Sequence, residues 1–165
     1  MSIKQAYKDD LQVVKYITVE TINQIYPHYY PKWAVEFFVE HHNDRNISND
    51  IEAGKVFLCV DDEEQAVGTV TIKDNDICRL FVLPEFQGNG YGRELLDFAE
   101  NEIAKKYEEI MIDASLPAKR IYLKRGYREK ESHIIPANYG DFLCYDIMVK
   151  KIWLRLDRLQ KQVMQ

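Results

Sequence analysis

Three glycines fall within five residues, at Gly88, Gly90 and Gly92. The run before them, Asp76 to Leu83, reads as a strand, and Arg93 to Lys106 carries Leu95, Leu96, Phe98, Ala99 and Ile103 along one helical side. A short apolar run, Glu109 to Asp113, comes next. Strand, glycine loop, helix and strand in that order imply a parallel pair joined by a right-handed crossover. Glycine has no Cβ, so such a loop reaches conformations closed to other residues and approaches a ligand closely. Its successive N–H groups, with the unpaired donors and positive dipole end of the following helix, form a site for phosphate oxygens. Arg93, just inside the helix, adds positive charge.

Two familiar phosphate loops do not fit. No Gly-Lys-Ser/Thr follows, as a P-loop requires. The spacing also departs from the dinucleotide fingerprint, and the loop follows what reads as an antiparallel meander instead of a first βαβ strand. That meander is Val56–Val60, Ala66–Ile72 and Asp76–Leu83, with turns at Asp61–Glu64 and Lys73–Asn75.

Upstream, Ser2–Ala6 suits a short strand. Lys8–Tyr26 repeats Leu11, Val14, Ile17, Ile22 and Ile25 at helical spacing, with Asp9 or Asp10 as cap and Pro27 as stop. A second helix begins near Pro31, and a third spans Ser48–Ala53 before Gly54. Downstream, Pro117–Lys124 is a helix closed by Gly126. Tyr127–Ile134 and Asp141–Lys150 form a hairpin around Pro136-Ala137-Asn138. Residues 151–165 place Ile152, Leu156, Leu159 and Val163 on one side of a C-terminal helical extension, which packs on its own domain or on a second copy in a homodimer. With no repeat or linker, residues 1–165 read as one domain.

Composition narrows the function. A net charge of -5 disfavours nucleic acid and anionic membrane as partners. The first ten residues have no apolar core of a signal peptide, and no apolar run approaches a bilayer span, so a cytoplasmic location is expected. Cys59, Cys78 and Cys144 each sit in apolar, strand-like runs without a C-x-x-C pair, which reads as buried reduced thiols. Adjacent His41 and His42 point to different sides of a helix, so no metal site is expected.

The stretch from Cys78 to Gly92, with Gln87-x-x-Gly90-x-Gly92 after Leu80-Phe81-Val82-Leu83-Pro84-Glu85-Phe86, resembles the acetyl-CoA motif of the GNAT superfamily of N-acetyltransferases. Ala118-x-x-x-Tyr122-x-x-x-Gly126-Tyr127 is similar to the family's second motif. The resemblance is strong over Val56–Arg128 and thinner outside it. It implies an α/β (α+β) fold with a mixed, mostly antiparallel central sheet and helices on both faces. It further implies acetyl-CoA as co-substrate, with the backbone of Gln87, Gly88, Asn89, Gly90, Tyr91, Gly92 and Arg93 on the pyrophosphate. The strand end at Leu80 and Val82 would pair with the pantetheine arm, and the Val82 N–H would polarise the thioester carbonyl.

The same resemblance implies that Tyr122 protonates the leaving thiolate, and it makes Asp76 the candidate base. Packing on the helix and a place in the turn beside Asp74-Asn75 are their respective alternatives. Glu85 and His133 are further base candidates. Tyr29 and Tyr30 fall where the family's N-terminal helices cover the acceptor site. The expected reaction is direct acetyl transfer to a primary amine, on a small molecule or a peptide. A non-catalytic acyl-CoA sensor and another nucleotide-phosphate site are the competing readings.

Overall fold

The computed structural model describes residues 1–136 and 141–152. In chain order they form β1 (Ser2–Gln5), α1 (Leu11–Ile25), α2 (Lys32–His41), α3 (Asp44–Glu52), β2 (Val56–Val60), β3 (Ala66–Lys73), β4 (Asp76–Val82), α4 (Tyr91–Ile103), β5 (Glu109–Ala114), α5 (Leu116–Lys124), β6 (Arg128–Pro136) and β7 (Phe142–Lys151). The seven strands make one sheet in the order β1-β2-β3-β4-β5-β7-β6. Every neighbouring pair is antiparallel except β4 with β5. This is the mixed, mostly antiparallel α/β architecture expected from the sequence.

The two faces bury different helices. Val14, Ile17 and Ile22 of α1, Ala34 and Val35 of α2, and Ile47 and Ile51 of α3 pack with Leu58 and Phe81 on one face. On the other, Leu95, Leu96, Ala99 and Ile103 of α4 and Tyr122 of α5 pack with Val67, Val70, Ile110, Ile112 and Met148. Gly68 makes the α4 contact possible. A Cβ there would lie 2.8 Å from Leu95 Cδ1 and 3.0 Å from the Phe81 carbonyl oxygen.

Local signals moved several boundaries. The Asp10 carboxylate accepts from the Tyr7 N–H at 2.8 Å, so it closes the turn before α1 and does not cap the helix itself. α3 starts at Asp44, ahead of the apolar pattern, because the Asn43 side chain accepts from the Asn46 N–H at 2.9 Å. α4 starts at Tyr91, so Tyr91 and Gly92 belong to its first turn. Lys151 ends β7 opposite Glu109 instead of opening a helix, and residues 153–165 of the expected extension lie outside the described residues. So does the Ala137-Asn138 part of the hairpin loop. The cysteine expectation holds for Cys59 alone: Cys78 is half-buried and Cys144 is exposed. No helix among the described residues is long and apolar enough to cross a membrane.

Candidate active site

The parallel pair comes apart soon after it begins. β4 and β5 are in register only at Asp76–Met111 and Ile77–Ile112. The Met111 N–H donates to the Asn75 carbonyl at 2.8 Å and the Asn75 side chain donates to the Glu109 carbonyl at 3.1 Å, which clamps the closed end. Just beyond it, the register with β3 slips from Ile72–Ile77 to Thr71–Arg79, leaving Cys78 as a bulge. The Leu83 N–H donates to the Val67 carbonyl at 2.9 Å. Ladder alternation then turns the Phe81 N–H toward β3 and the Leu80 and Val82 N–H groups toward the opening beside β5. Leu80 and Val82 have no partner on β5. The Val82 carbonyl is held by the Thr21 hydroxyl at 3.2 Å and the Gln87 amide at 2.9 Å.

The glycine loop closes one end of this opening. Gly88 and Gly90 have φ of 81° and 93°, a left-handed conformation that costs other residues strain. Gly90 is the N-cap of α4 and brings no side chain to cap it, so the first-turn N–H groups face outward unpaired by a side chain. The Asn89 side chain donates back to the Phe86 and Gln87 carbonyls at 3.2 and 3.4 Å and so braces the loop. The Arg93 guanidinium folds over Gly90, with Nη2 3.7 Å from where a Gly90 Cβ would be. Neutral and basic groups therefore surround a compact anion-sized concavity.

A cavity of about 670 Å³ runs from this loop through the gap between β4 and β5 to the α1–α2 face. At the loop end it is lined by Gln87, Gly88, Gly90, Gly92 and Arg93, in the middle by Leu80, Val82 and Tyr122, and at the far end by Tyr29, Phe37, His41, Asp113 and Tyr145. Burial, reinforced by Tyr26, pushes the Tyr122 hydroxyl well above the usual tyrosine range, so it keeps its proton. Burial and then the Asp113 charge push Asp76 up to about 6. Its Oδ2 takes a weak contact from Cys78 Sγ at 3.6 Å, while its buried Oδ1 has no partner among the described residues. Asp113 is also raised by partial burial, against the opposing pull of His133 and His41. Burial pushes the Cys78 thiol up to about 12, so no thiolate nucleophile stands at the site.

The wall behind the far end rests on a charge network that the sequence did not reveal. Arg79 is 4% exposed. Its guanidinium donates to Asp50 at 2.9 Å, to the Thr71 hydroxyl at 2.8 Å and to His42 Nδ1 at 3.2 Å, and Lys73 adds a second cation to Asp50 at 2.7 Å. Burial and then Arg79 hold His42 down to about 3, so it is a neutral acceptor with its proton on Nε2. His42 is thus fixed by the network, and both it and its neighbour His41 reach the cavity lining. Among the described residues, no group of three or more His, Cys, Asp or Glu side chains could hold a metal ion.

The family model described as the Acetyltransferase (GNAT) domain matches residues 18–139, most of the chain. The chain belongs to the GNAT acetyltransferase family. Its fold is shared with a GCN5-related N-acetyltransferase of Rhodopseudomonas palustris, at 23% identity over 92% of this chain and 95% of that one, with a TM-score of 0.83. It is also similar to the PaiA N-acetyltransferase of Thermoplasma acidophilum in complex with coenzyme A, at 21% identity over 91% and 98% of the two chains, TM-score 0.69. YncA of Salmonella typhimurium, a putative acetyltransferase with its cofactor acetyl-CoA, is 18% identical over 92% and 94%, TM-score 0.69. No curated protein matches the chain by sequence.

On this GNAT frame, the sequence candidates separate. Leu80, Val82, Gln87, Gly88, Gly90, Gly92, Arg93, Tyr122 and Tyr29 converge on the cavity. The side chains of Asn89 and Tyr91 do not line it; Tyr91 packs against Phe86 with ring centroids 6.2 Å apart. Tyr30 is a correction: it is buried away from the cavity, its hydroxyl accepting from the Leu116 N–H at 2.7 Å and donating to the Cys144 carbonyl at 3.4 Å. It anchors the start of α5. Asp76 lies behind the Cys78 bulge and does not itself line the cavity. Asp113 and Tyr145 do line it, and sequence reasoning passed over both, since nothing before the fold set β5 and β7 side by side.

Proposed function

We propose that this GNAT protein transfers acetyl from acetyl-CoA directly to an amine inside the through-cavity. The carrying observation is the break in pairing between β4 and β5, which leaves Leu80 and Val82 amides free beside a glycine loop that suits a pyrophosphate. The pantetheine arm adds to β4 as an extra strand, with its diphosphate on the loop and the first turn of α4. The thioester carbonyl then meets an outward N–H of this strand end, Leu80 or Val82, which stabilises the oxyanion. The amine enters from the α1–α2 face. Its nitrogen forms the new C–N bond, the tetrahedral intermediate collapses, and the C–S bond breaks.

Asp76 and Tyr122 handle the protons. Asp76, raised to about 6, accepts the proton that the attacking nitrogen loses, through water because it sits behind Cys78. Tyr122 donates to the departing sulfur. A tyrosine pushed upward is a weaker acid than a thiol, so its main contribution is a hydrogen bond to the developing thiolate; the sulfur is reprotonated by this route or by solvent. No covalent acetyl-enzyme forms. The products are one amide and one CoA.

The test is the pH profile of kcat/KM with acetyl-CoA saturating. The wild type loses activity as pH falls through about 6, where the Asp76 carboxylate takes up a proton. Asp76→Asn removes that acid limb and lowers kcat/KM at pH 7.5 by about 100-fold. Tyr122→Phe lowers kcat by about 10- to 100-fold without moving the limb. An Asp76→Asn enzyme that keeps both its rate and its acid limb rules out this base.

A further inference from the structure

The far end of the cavity is where the acceptor must enter, and its lining is specific. Tyr29, Phe37, Phe38 and Tyr145 give aromatic walls, and among the described residues the charged side chains that reach this end from the sheet are Asp113 and Arg79. Asp113 opens into the cavity from β5 with no ion pair or hydrogen bond among the described residues. Asp76 stands beside it on the neighbouring strand with an unpartnered Oδ1, and the two charges repel. The cations nearby are committed elsewhere. Arg79 and Lys73 are bound to Asp50, and Arg93 lies at the glycine loop.

Tyr145 gives Asp113 a fixed wall. Its ring stacks on His133, 5.0 Å between centroids and 13° between planes, across the β6–β7 hairpin. His133 Nε2 lies 3.5 Å from Glu131, at an ion-pair distance without hydrogen-bond alignment. Asp113 is therefore the carboxylate that lines this aromatic recess, with Asp76 behind the Cys78 bulge on the neighbouring strand and Glu131 beyond His133. An ammonium entering this recess relieves the repulsion between Asp76 and Asp113 and gains the faces of the aromatic rings. An acid group carried one carbon from that nitrogen would be brought against Asp113 and the nearby Asp76, and among the described residues no uncommitted guanidinium or ammonium lines this end to meet it.

We infer that Asp113 selects the acceptor: it binds the reacting ammonium of an alkyl- or arylalkylamine and rejects amines whose α-carbon carries a carboxylate. The inference rests on the acetyl-transfer reading and adds the substrate class to it. Asp113 orients the nitrogen, while proton removal stays with Asp76. The apolar body of the amine lies along Phe37, Phe38 and Tyr29 toward the mouth.

The experiment compares tyramine, L-tyrosine and L-tyrosine methyl ester as acceptors for the 165-residue protein with saturating acetyl-CoA. The methyl ester keeps the bulk of tyrosine and removes its negative charge. Tyramine is expected to exceed L-tyrosine in kcat/KM by at least about 10-fold, with the methyl ester close to tyramine. In Asp113→Asn the tyramine preference over L-tyrosine should fall by at least about 10-fold, mainly through KM for tyramine. Its acid limb should persist and move somewhat below about 6, because burial still raises Asp76 but the added push of the Asp113 charge is gone. L-Tyrosine used as well as tyramine, or a preference that survives Asp113→Asn, overturns the assignment and leaves acetyl transfer standing. An ester as poor as tyrosine also overturns it, since bulk and not charge would then decide. Acetyl-CoA bound with none of the three turned over overturns this assignment, and the transfer reading falls with it only if a polyamine and a peptide N-terminus are also left unacetylated.

Discussion

Gly90→Val should abolish tight acetyl-CoA binding while the protein remains folded. Gly90 has φ of 93°, and a β-branched residue in that region is a strong outlier. Space is not the obstacle, because the nearest atom to a new Cβ is Arg93 Nη2 at 3.7 Å. The cost is backbone strain, about 1–3 kcal/mol, and the chain escapes it by turning the loop amides out of their shared direction. The donors that would hold the pyrophosphate are then lost together. Calorimetric titration should show the acetyl-CoA Kd raised about 100-fold, with the thermal midpoint down by only a few degrees. Gly92→Ala is the contrasting variant. Gly92 lies in the first turn of α4 without a positive φ, and an added Cβ would come only within 3.7 Å of Val82 Cγ2. Its Kd should change by less than about 5-fold. Equal losses in the two variants would mean that bulk near Val82, and not loop conformation, governs binding.

Arg79→Met carries the largest expected loss of stability. Removing one partner of a buried ion pair strands the other charge, at a cost of about 3–5 kcal/mol. Lys73 remains 2.7 Å from Asp50 and softens the loss, so about 3 kcal/mol is expected in denaturant unfolding. The pH dependence follows from His42. Its folded pKa, about 3, lies below the ordinary 6.5, so the stability it contributes is full above 6.5. That stability is lost as pH falls toward 3, because the unfolded chain takes up a proton that the folded one refuses. Taking away Arg79 removes one cause of this depression, so the variant's stability should fall less steeply between pH 6.5 and 4. A stability unchanged by Arg79→Met would show that the network holds neither α2 nor α3.

Much of the fold was legible because its signals are local. The period of β2, β3 and β4, the glycine pair at Gly88 and Gly90, and Gly126 with φ of 90° at the end of α5 each act within a few residues. The donor half of the cavity was legible for the same reason, since one continuous stretch from Leu80 to Arg93 builds it. The acceptor half is assembled from α1, α2, β4, β5 and β7, and no short segment carries its pattern. Asp113 therefore passed unnoticed in a run that reads as a plain buried strand, while Tyr30 attracted attention beside Tyr29 and proved to be a buried anchor. Arg79 is the clearest case. In sequence it is one charge within an apolar strand, and its partners His42 and Asp50 lie 37 and 29 residues away. The need for glycine at 68 is likewise invisible until α4 is laid across β3.

The most direct test of the central claim is a mass balance under turnover. The purified protein is incubated with acetyl-CoA and tyramine, and N-acetyltyramine, CoA and the intact protein are followed by mass spectrometry. The through-cavity account predicts amide and CoA rising together in a one-to-one ratio, far above the rate without protein, with no acetyl group retained on the protein during turnover. CoA released without amide, an acetylated protein that precedes product, or no release at all with acetyl-CoA bound would contradict it.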